Sequence, residues 1–504
     1  MRYPLLSVVI VVLAGCRSDD ARVASPGHLQ SQLRCVRVRD LDAARLDAFV
    51  THAFDALHIP GAAIAVIVDG KVVYERMLGV RVLGQTAPVT AGTRFMLGSV
   101  TKPLTTFLQA TLVDAGTIAW TTPVHDLMPA FAVAGGLASR LALWHLMCGC
   151  SGVDGDDIPG MFTWEGITPE ARIAALRTAQ ATAPLGEKFQ YSNQMFAAGG
   201  FMAAHAFAPT LRLAKAYSSA MQAKVFAPIG MTATTTDFAV VEAGDHALPH
   251  ALAIDGTTHA LPLAIERAVL PIAPAGAVWS TLHDMERYVL TELSHGIAPD
   301  GTRVASAANL AERARQRIAI DASTGYGLGL DISNDHGLRV LSHDGGSFGF
   351  GTTLYLLPEA RTGIVILTNV RNGTAESQLP FNEAVTRRIV EALVATTVPD
   401  AEELLSRAVK ARARDPRPPV DRSWLGALAG RYHEPVLGRI EVRDSPDGPL
   451  VDVGEWRSTV ARIESPDGSA KLLLLDPPFA GGALLVGTDH TLTLPGSRYI
   501  FRRE

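Results

Sequence analysis

The sequence predicts an α+β fold: an antiparallel β-sheet with helices on both faces plus a helical subdomain, followed by a small all-β domain. Three observations carry this. Strand patterns stand near both ends of residues 41–400, the stretch between them is helical and loop-rich, and after residue 420 only short strand patterns recur. With 504 residues, 48% of them hydrophobic, the chain is long enough for two domains with sizeable cores.

The elements follow in chain order. Residues 5–14 are an apolar run behind Arg2, too short to span a bilayer, ending in Leu13-Ala14-Gly15-Cys16. This resembles the lipobox of bacterial lipoproteins, so residues 1–16 read as a lipoprotein signal peptide with Cys16 as the lipidated residue. An ordinary signal peptide cleaved near Gly15 is the alternative. Both export the protein. The lipobox adds a membrane anchor facing the periplasm, and Arg17 in place of Asp favours the outer membrane where a cell has two. Residues 17–40 are polar and pattern-free and read as a tether.

Residues 61–68 and 71–74 flank Asp69-Gly70, a turn pair that tolerates positive φ, and form a β-hairpin. Leu104, Phe107, Leu108 and Leu112 recur at helical spacing until Gly116. Strands return at residues 337–342, 352–357 and 363–368. Sheet strands at both ends of a helical insert put residues 41–400 in one α+β domain. Residues 401–420 hold Arg407, Lys410, Arg412, Arg414 and Arg417 with three prolines, and read as a helix end and linker with a solvated basic face. Residues 421–504 show strands at 439–442, 450–453, 471–475, 483–486, 491–494 and 498–501, a small β-barrel-like domain.

A net charge of −5 and the lack of a long basic run argue against a nucleic-acid partner. Besides Cys16 there are Cys35, Cys148 and Cys150, so at most one internal bridge forms. Cys148-Gly149-Cys150 has no second Cys/His pair at ligand spacing, which argues against a metal, and reads as a core Cys plus a loop Cys. No cofactor is implied, and nothing in the sequence sets an oligomeric state.

A serine hydroxyl needs a group to take its proton before it can attack. Ser99-Val100-Thr101-Lys102 places a lysine one helical turn after a serine at a helix start. A buried lysine there loses basicity and can act as a neutral base. None of the lysines at 71, 188, 215, 224, 410 and 471 has a serine three residues earlier. Tyr191-Ser192-Asn193 opens an apolar helix over 195–207 and supplies a hydroxyl and an amide. His343-Asp344-Gly345, followed by Gly346, ends a strand.

With these three motifs in this order the chain resembles the penicillin-binding-protein/β-lactamase superfamily of active-site serine hydrolases, in the branch near class C β-lactamases, D,D-carboxypeptidases and esterases. The likeness spans residues 45–395 and includes Ile59-Pro60-Gly61, Phe95-Met96-Leu97-Gly98, Ala275-Gly276 and Ser280-Thr281. It implies that Ser99 attacks, that Lys102 and Tyr191 shuttle protons, with Tyr191 as base for the releasing water, and that Asn193 orients the acyl side chain. His343, Asp344, Gly345 and Gly346 fall in the substrate-binding strand, with the amides of Ser99 and Gly346 as oxyanion donors. The substrate is then a small molecule or peptide, either an ester or amide or, alternatively, a β-lactam or D-Ala-D-Ala end. A non-catalytic penicillin-binding sensor is a further alternative. Asp344 departs from the family's Thr; a carboxylate lining the cleft there would disfavour substrates that end in a carboxylate. Gly345-Gly346-Ser347-Phe348-Gly349 fits a rival G-x-S-x-G nucleophile elbow, but a strand pattern follows it where the elbow needs a helix.

Overall fold

The computed structural model describes residues 38–371, 379–394, 400–412, 417–464 and 468–504. The segment read as signal peptide with Cys16, nearly all of the tether, and Cys35 lie outside the described residues. Among the described residues no helix is long and apolar enough to cross a membrane.

Eight strands form one sheet, each antiparallel to its neighbours. β1 (Gly61–Val68) and β2 (Lys71–Gly79) make the expected hairpin, and Asp69 and Gly70 both take positive φ at its turn. β1 then pairs with Thr362–Thr368, which continues through Gly351–Leu357, Leu338–Gly346, Asp331–Asp335, Gly325–Tyr326 and Ile318–Ala319. Strands from the two ends of the domain are therefore neighbours.

Side chains alternate across a strand, and β1 uses both sides. Ala62, Ile64 and Val66 pack with α1 (Ala43–Ala56) and the helix Pro380–Leu393. Ala63, Ala65 and Ile67 face the larger core that holds α2 (Thr101–Asp114). This double burial explains why β1 is apolar without alternation. In α1 the buried Leu46, Phe49, Val50 and Ala53 fall on one helical stripe, and the Asp42 carboxylate caps its first turn by accepting from the Arg45 amide.

The helix α2 is buried on all sides from Thr101 to Leu112, so its polar groups need partners. Thr105 donates to Pro274 O at 2.8 Å and Gln109 donates to Gly199 O at 3.2 Å. Arg313, fully buried, donates to Pro103 O (2.8 Å) and Thr106 Oγ1 (3.0 Å) and pairs with Glu292 at 2.9 Å. These bonds fix the start of α2, where Ser99 and Lys102 stand.

The last eight strands close into a barrel. Two of them, Gly430–Glu434 and Arg457–Glu464, were not expected from the sequence; the latter reads Arg-Ser-Thr-Val-Ala-Arg-Ile-Glu, too polar to stand out. The barrel core, with Tyr432, Ile440, Val451 and Phe501, is continuous with Phe162 and Trp164 of the first domain. The linker expectation over 401–420 is corrected in part. Residues Ala401–Arg412 form a helix whose Ala401, Leu405 and Ala408 are buried in the core beneath α1, a periodicity masked by its charged residues. Cys148 and Cys150 are disulfide-bonded and both buried, which corrects the core-plus-loop reading; Gly149 between them takes φ +60° and lets the chain turn back.

Candidate active site

The short strand Phe95–Met96 pairs with Trp279–Ser280, and a single turn, Gly98–Val100, leads into α2. Gly98 has φ +51°, and a Cβ there would lie 2.7 Å from the Gly346 amide nitrogen. Only glycine permits both, so the backbone beside Ser99 abuts the backbone of the third motif. Ser99 is half-buried; Lys102, one turn on, is fully buried.

The Lys102 Nζ donates to Asn193 Oδ1 at 2.6 Å and Ala275 O at 2.9 Å, and lies 2.9 Å from Ser99 Oγ. Burial lowers its pKa from the ordinary lysine value to about 7, against the pull of Asp157 and Asp331. A neutral amine has two N–H groups and one lone pair. With Asn193 and Ala275 taking the two donors, the lone pair falls to Ser99.

The Tyr191 hydroxyl donates to Ser99 Oγ at 2.9 Å. Burial pushes its pKa far up, and Asp331 and Asp157 add to this, so it stays a phenol. Ser192 caps the helix Asn193–Phe207, which begins two residues earlier than the apolar run suggests and places Asn193 on its first turn. Asn193 Nδ2 donates to Asp157 Oδ2 at 2.6 Å. The amide is thereby oriented, with its oxygen to Lys102 and one N–H left over.

Strand Leu338–Gly346 brings the third motif alongside. His343 Nδ1 donates to Asp344 O at 2.6 Å, so Nε2 is the acceptor for the Tyr326 hydroxyl at 3.0 Å. Burial, with Lys102 nearby, lowers the His343 pKa to about 3. The imidazole is neutral and presents no cation. Asp344 requires a correction. Alternation sends its side chain to the opposite face from His343, where its carboxylate accepts from Thr353 Oγ1 at 2.6 Å, beside Asn382 of the helix Pro380–Leu393. It does not line the cleft at Ser99 and so does not disfavour carboxylate-ended substrates there. Gly345 is required where it stands, since a Cβ would run into Leu97 O.

The rival Ser347 is buried. It donates to Glu266 Oε1 at 2.9 Å and accepts from the Phe350 amide at 3.2 Å, and a strand follows it.

The structure thus brings Ser99, Lys102, Tyr191, Asn193, His343 and Gly346 together and moves Asp344 out. It adds three residues that sequence reasoning missed. Asp157 orients Asn193, Tyr326 holds His343, and Asp331, its carboxyl pushed up to about 7 by burial and Asp344, acts on Lys102 through space. Only Tyr326 carried a signal, as the centre of the glycine-flanked run Gly325-Tyr326-Gly327.

With this geometry in view, the comparisons are specific. The Beta-lactamase family profile matches residues 46–386. The chain belongs to that family. It is 30% identical over 399 residues to "Penicillin-binding protein 4" of Amycolatopsis lactamdurans, covering 75% of this chain and 95% of that one. It is 27% identical to "Unguisins hydrolase ungD" of Aspergillus violaceofuscus over 66% of this chain and 62% of the other. A 113-residue stretch is 33% identical to "Esterase EstB" of Burkholderia gladioli, 22% of this chain and 29% of that protein. Among solved structures, the octameric penicillin-binding protein homologue from Pyrococcus abyssi superposes with TM-score 0.62 at 21% identity, covering 92% of this chain and all of that one, which supports the fold.

Proposed function

We propose that the protein is a serine hydrolase that cleaves an ester or amide through an acyl-enzyme on Ser99. The observation that carries this is the buried Lys102 amine, with a pKa near 7, lying 2.9 Å from the Ser99 hydroxyl. The names of the related proteins, two hydrolytic enzymes and a penicillin-binding protein, support the same chemical class.

In the first half-reaction the Ser99 Oγ–carbonyl bond forms as the hydroxyl proton passes to Lys102 Nζ. The amides of Ser99 and Gly346 hold the oxyanion. Collapse breaks the bond to the leaving group, which takes a proton from the Tyr191 hydroxyl, and Tyr191 regains a proton from the Lys102 ammonium. In the second half-reaction water attacks the acyl carbon and gives its proton to Lys102, and the acyl–Oγ bond breaks as Ser99 regains its hydrogen. Because Tyr191 is held as a phenol, Lys102 is the base in both halves and Tyr191 a neutral relay, in place of the tyrosine base that the resemblance implies. The lipobox-like segment extends the proposal to export and anchoring through Cys16, which intact-mass measurement of the mature protein tests.

Turnover of p-nitrophenyl butyrate by the wild type and its loss in Ser99→Ala is the expected result. Equal ligand binding by both with turnover by neither overturns the enzyme reading in favour of a binding module. One observation favours a second reading: Asp344 is turned to Thr353, so its carboxylate does not stand against a β-lactam carboxylate. Nitrocefin turnover rivalling the best ester substrate replaces the esterase or amidase reading with a β-lactamase one.

A further inference from the structure

We propose that the C-terminal barrel forms one wall of an apolar acyl-binding subsite beside Ser99, so that preferred substrates carry a medium-sized apolar acyl group. This rests on the serine-hydrolase reading and names its substrate class.

A cleft of about 270 Å³ has Asn193 and Gly346 at its inner edge, and Met161, Val269, Ile272, Phe348 and Phe479 form its apolar walls. Both inner residues belong to the Ser99 surroundings, Asn193 through Lys102 and Gly346 through its contact with Gly98. An acyl group on Ser99 therefore extends into this cleft. Its volume is near the lower end for small-molecule sites, suited to a single side chain or short chain.

Phe479 is the barrel's contribution, from the connection between Ala470–Leu474 and Ala483–Val486. Its ring stands edge-on to Phe348, 5.6 Å between centroids, and to Trp456, at 4.8 Å. Phe348 in turn lies 5.9 Å from Trp164. The opposite wall is also fastened by the barrel. Trp456 Nε1 donates to Met161 O at 2.8 Å, and Glu455 Oε1 accepts from the amides of Trp164 and Glu165 at 2.8 and 3.1 Å. The Asp156 carboxylate is held by Arg498 and Tyr499. The charged groups at the cleft are turned to the protein: Asp157 to Asn193, Arg172 to Thr163 O, and Arg371 to Ser347 O. Most of the surface left for a ligand is apolar, which favours an apolar group.

The test compares p-nitrophenyl hexanoate with acetate on the full-length protein. In Phe479→Ala the ratio of the two kcat/KM values falls ~10-fold, mainly through KM for hexanoate, the range expected for losing one large apolar contact in a pocket. Val269→Trp fills the cleft from the catalytic domain, without touching the barrel fold, and lowers the same ratio at least as far. A ratio within twofold of wild type in either variant, with an unchanged melting temperature, overturns the subsite. No ester turnover by the wild type is a different failure, and overturns the hydrolase reading beneath it.

Discussion

Ser99 and Ser347 both sit in motifs known from serine enzymes, and each has a buried ionisable partner whose pKa burial moves to about 7. Their surroundings differ in kind. Ser99 is half-buried and meets an amine that titrates near pH 7 and a phenol, both able to move protons, with Asn193 held behind them. Ser347 is enclosed, spends its hydrogen on Glu266 and its oxygen on the Phe350 amide, and thereby builds a turn. A local motif supplies a hydroxyl; a nucleophile also needs access and a base with a free lone pair.

The largest effect that sharpens this contrast is on kcat. Ser99→Ala should lower ester turnover at least ~10⁴-fold, whereas Ser347→Ala should cost no more than about tenfold, measured by steady-state kinetics on folded protein. Comparable losses in both would erase the distinction. Lys102→Met should cost ~10³-fold, and its pH profile carries more information than its rate. Turnover needs the neutral amine, so wild-type kcat/KM should rise roughly tenfold between pH 6 and 8 as Lys102 loses its proton near pH 7, and the variant should lose that inflection.

Asp157 is a positioning residue: it hydrogen-bonds Asn193, which holds Lys102, and otherwise acts on Lys102 only as a nearby charge. Asp157→Ala should lower kcat ~10- to 100-fold with little change in KM, and Asp157→Asn, which keeps an acceptor for Asn193 Nδ2, should recover most of it. Rates that fall equally in both variants would point to charge rather than orientation. The smallest effect concerns Ser347's partner. The Glu266 carboxyl is raised from 4.5 to about 7 in the folded protein, chiefly by burial. Its protonated form is the favoured one, so its contribution to stability is complete below the unfolded pKa and is lost as pH rises through 7. Urea midpoints at pH 5 and pH 8 should therefore differ less in Glu266→Gln than in wild type.

The same contrast explains what was legible beforehand. Ser99, Lys102, Tyr191 and Asn193 lie in short motifs at helix starts, where spacing alone sets the geometry, and the hairpin and the three strands after residue 337 follow from turn chemistry and apolar runs. Asp344 was misplaced because the sequence shows which residues occupy a strand but not which face turns to the cleft; His343 and Asp344 differ by one position and so by one face. Asp157 and Phe479 were invisible for another reason. Their partners lie 36 residues away in one case and across a domain boundary in the other, and no local pattern encodes such meetings. The helix Ala401–Arg412 hid behind its charge, because only three of its residues are buried.

Mapping the adduct of a fluorophosphonate probe by peptide mass spectrometry, on wild type, Ser99→Ala and Ser347→Ala, tests the central claim most directly. A single adduct on Ser99, absent from Ser99→Ala and retained in Ser347→Ala, is the predicted result. An adduct on Ser347, or labelling that survives Ser99→Ala, would contradict the account.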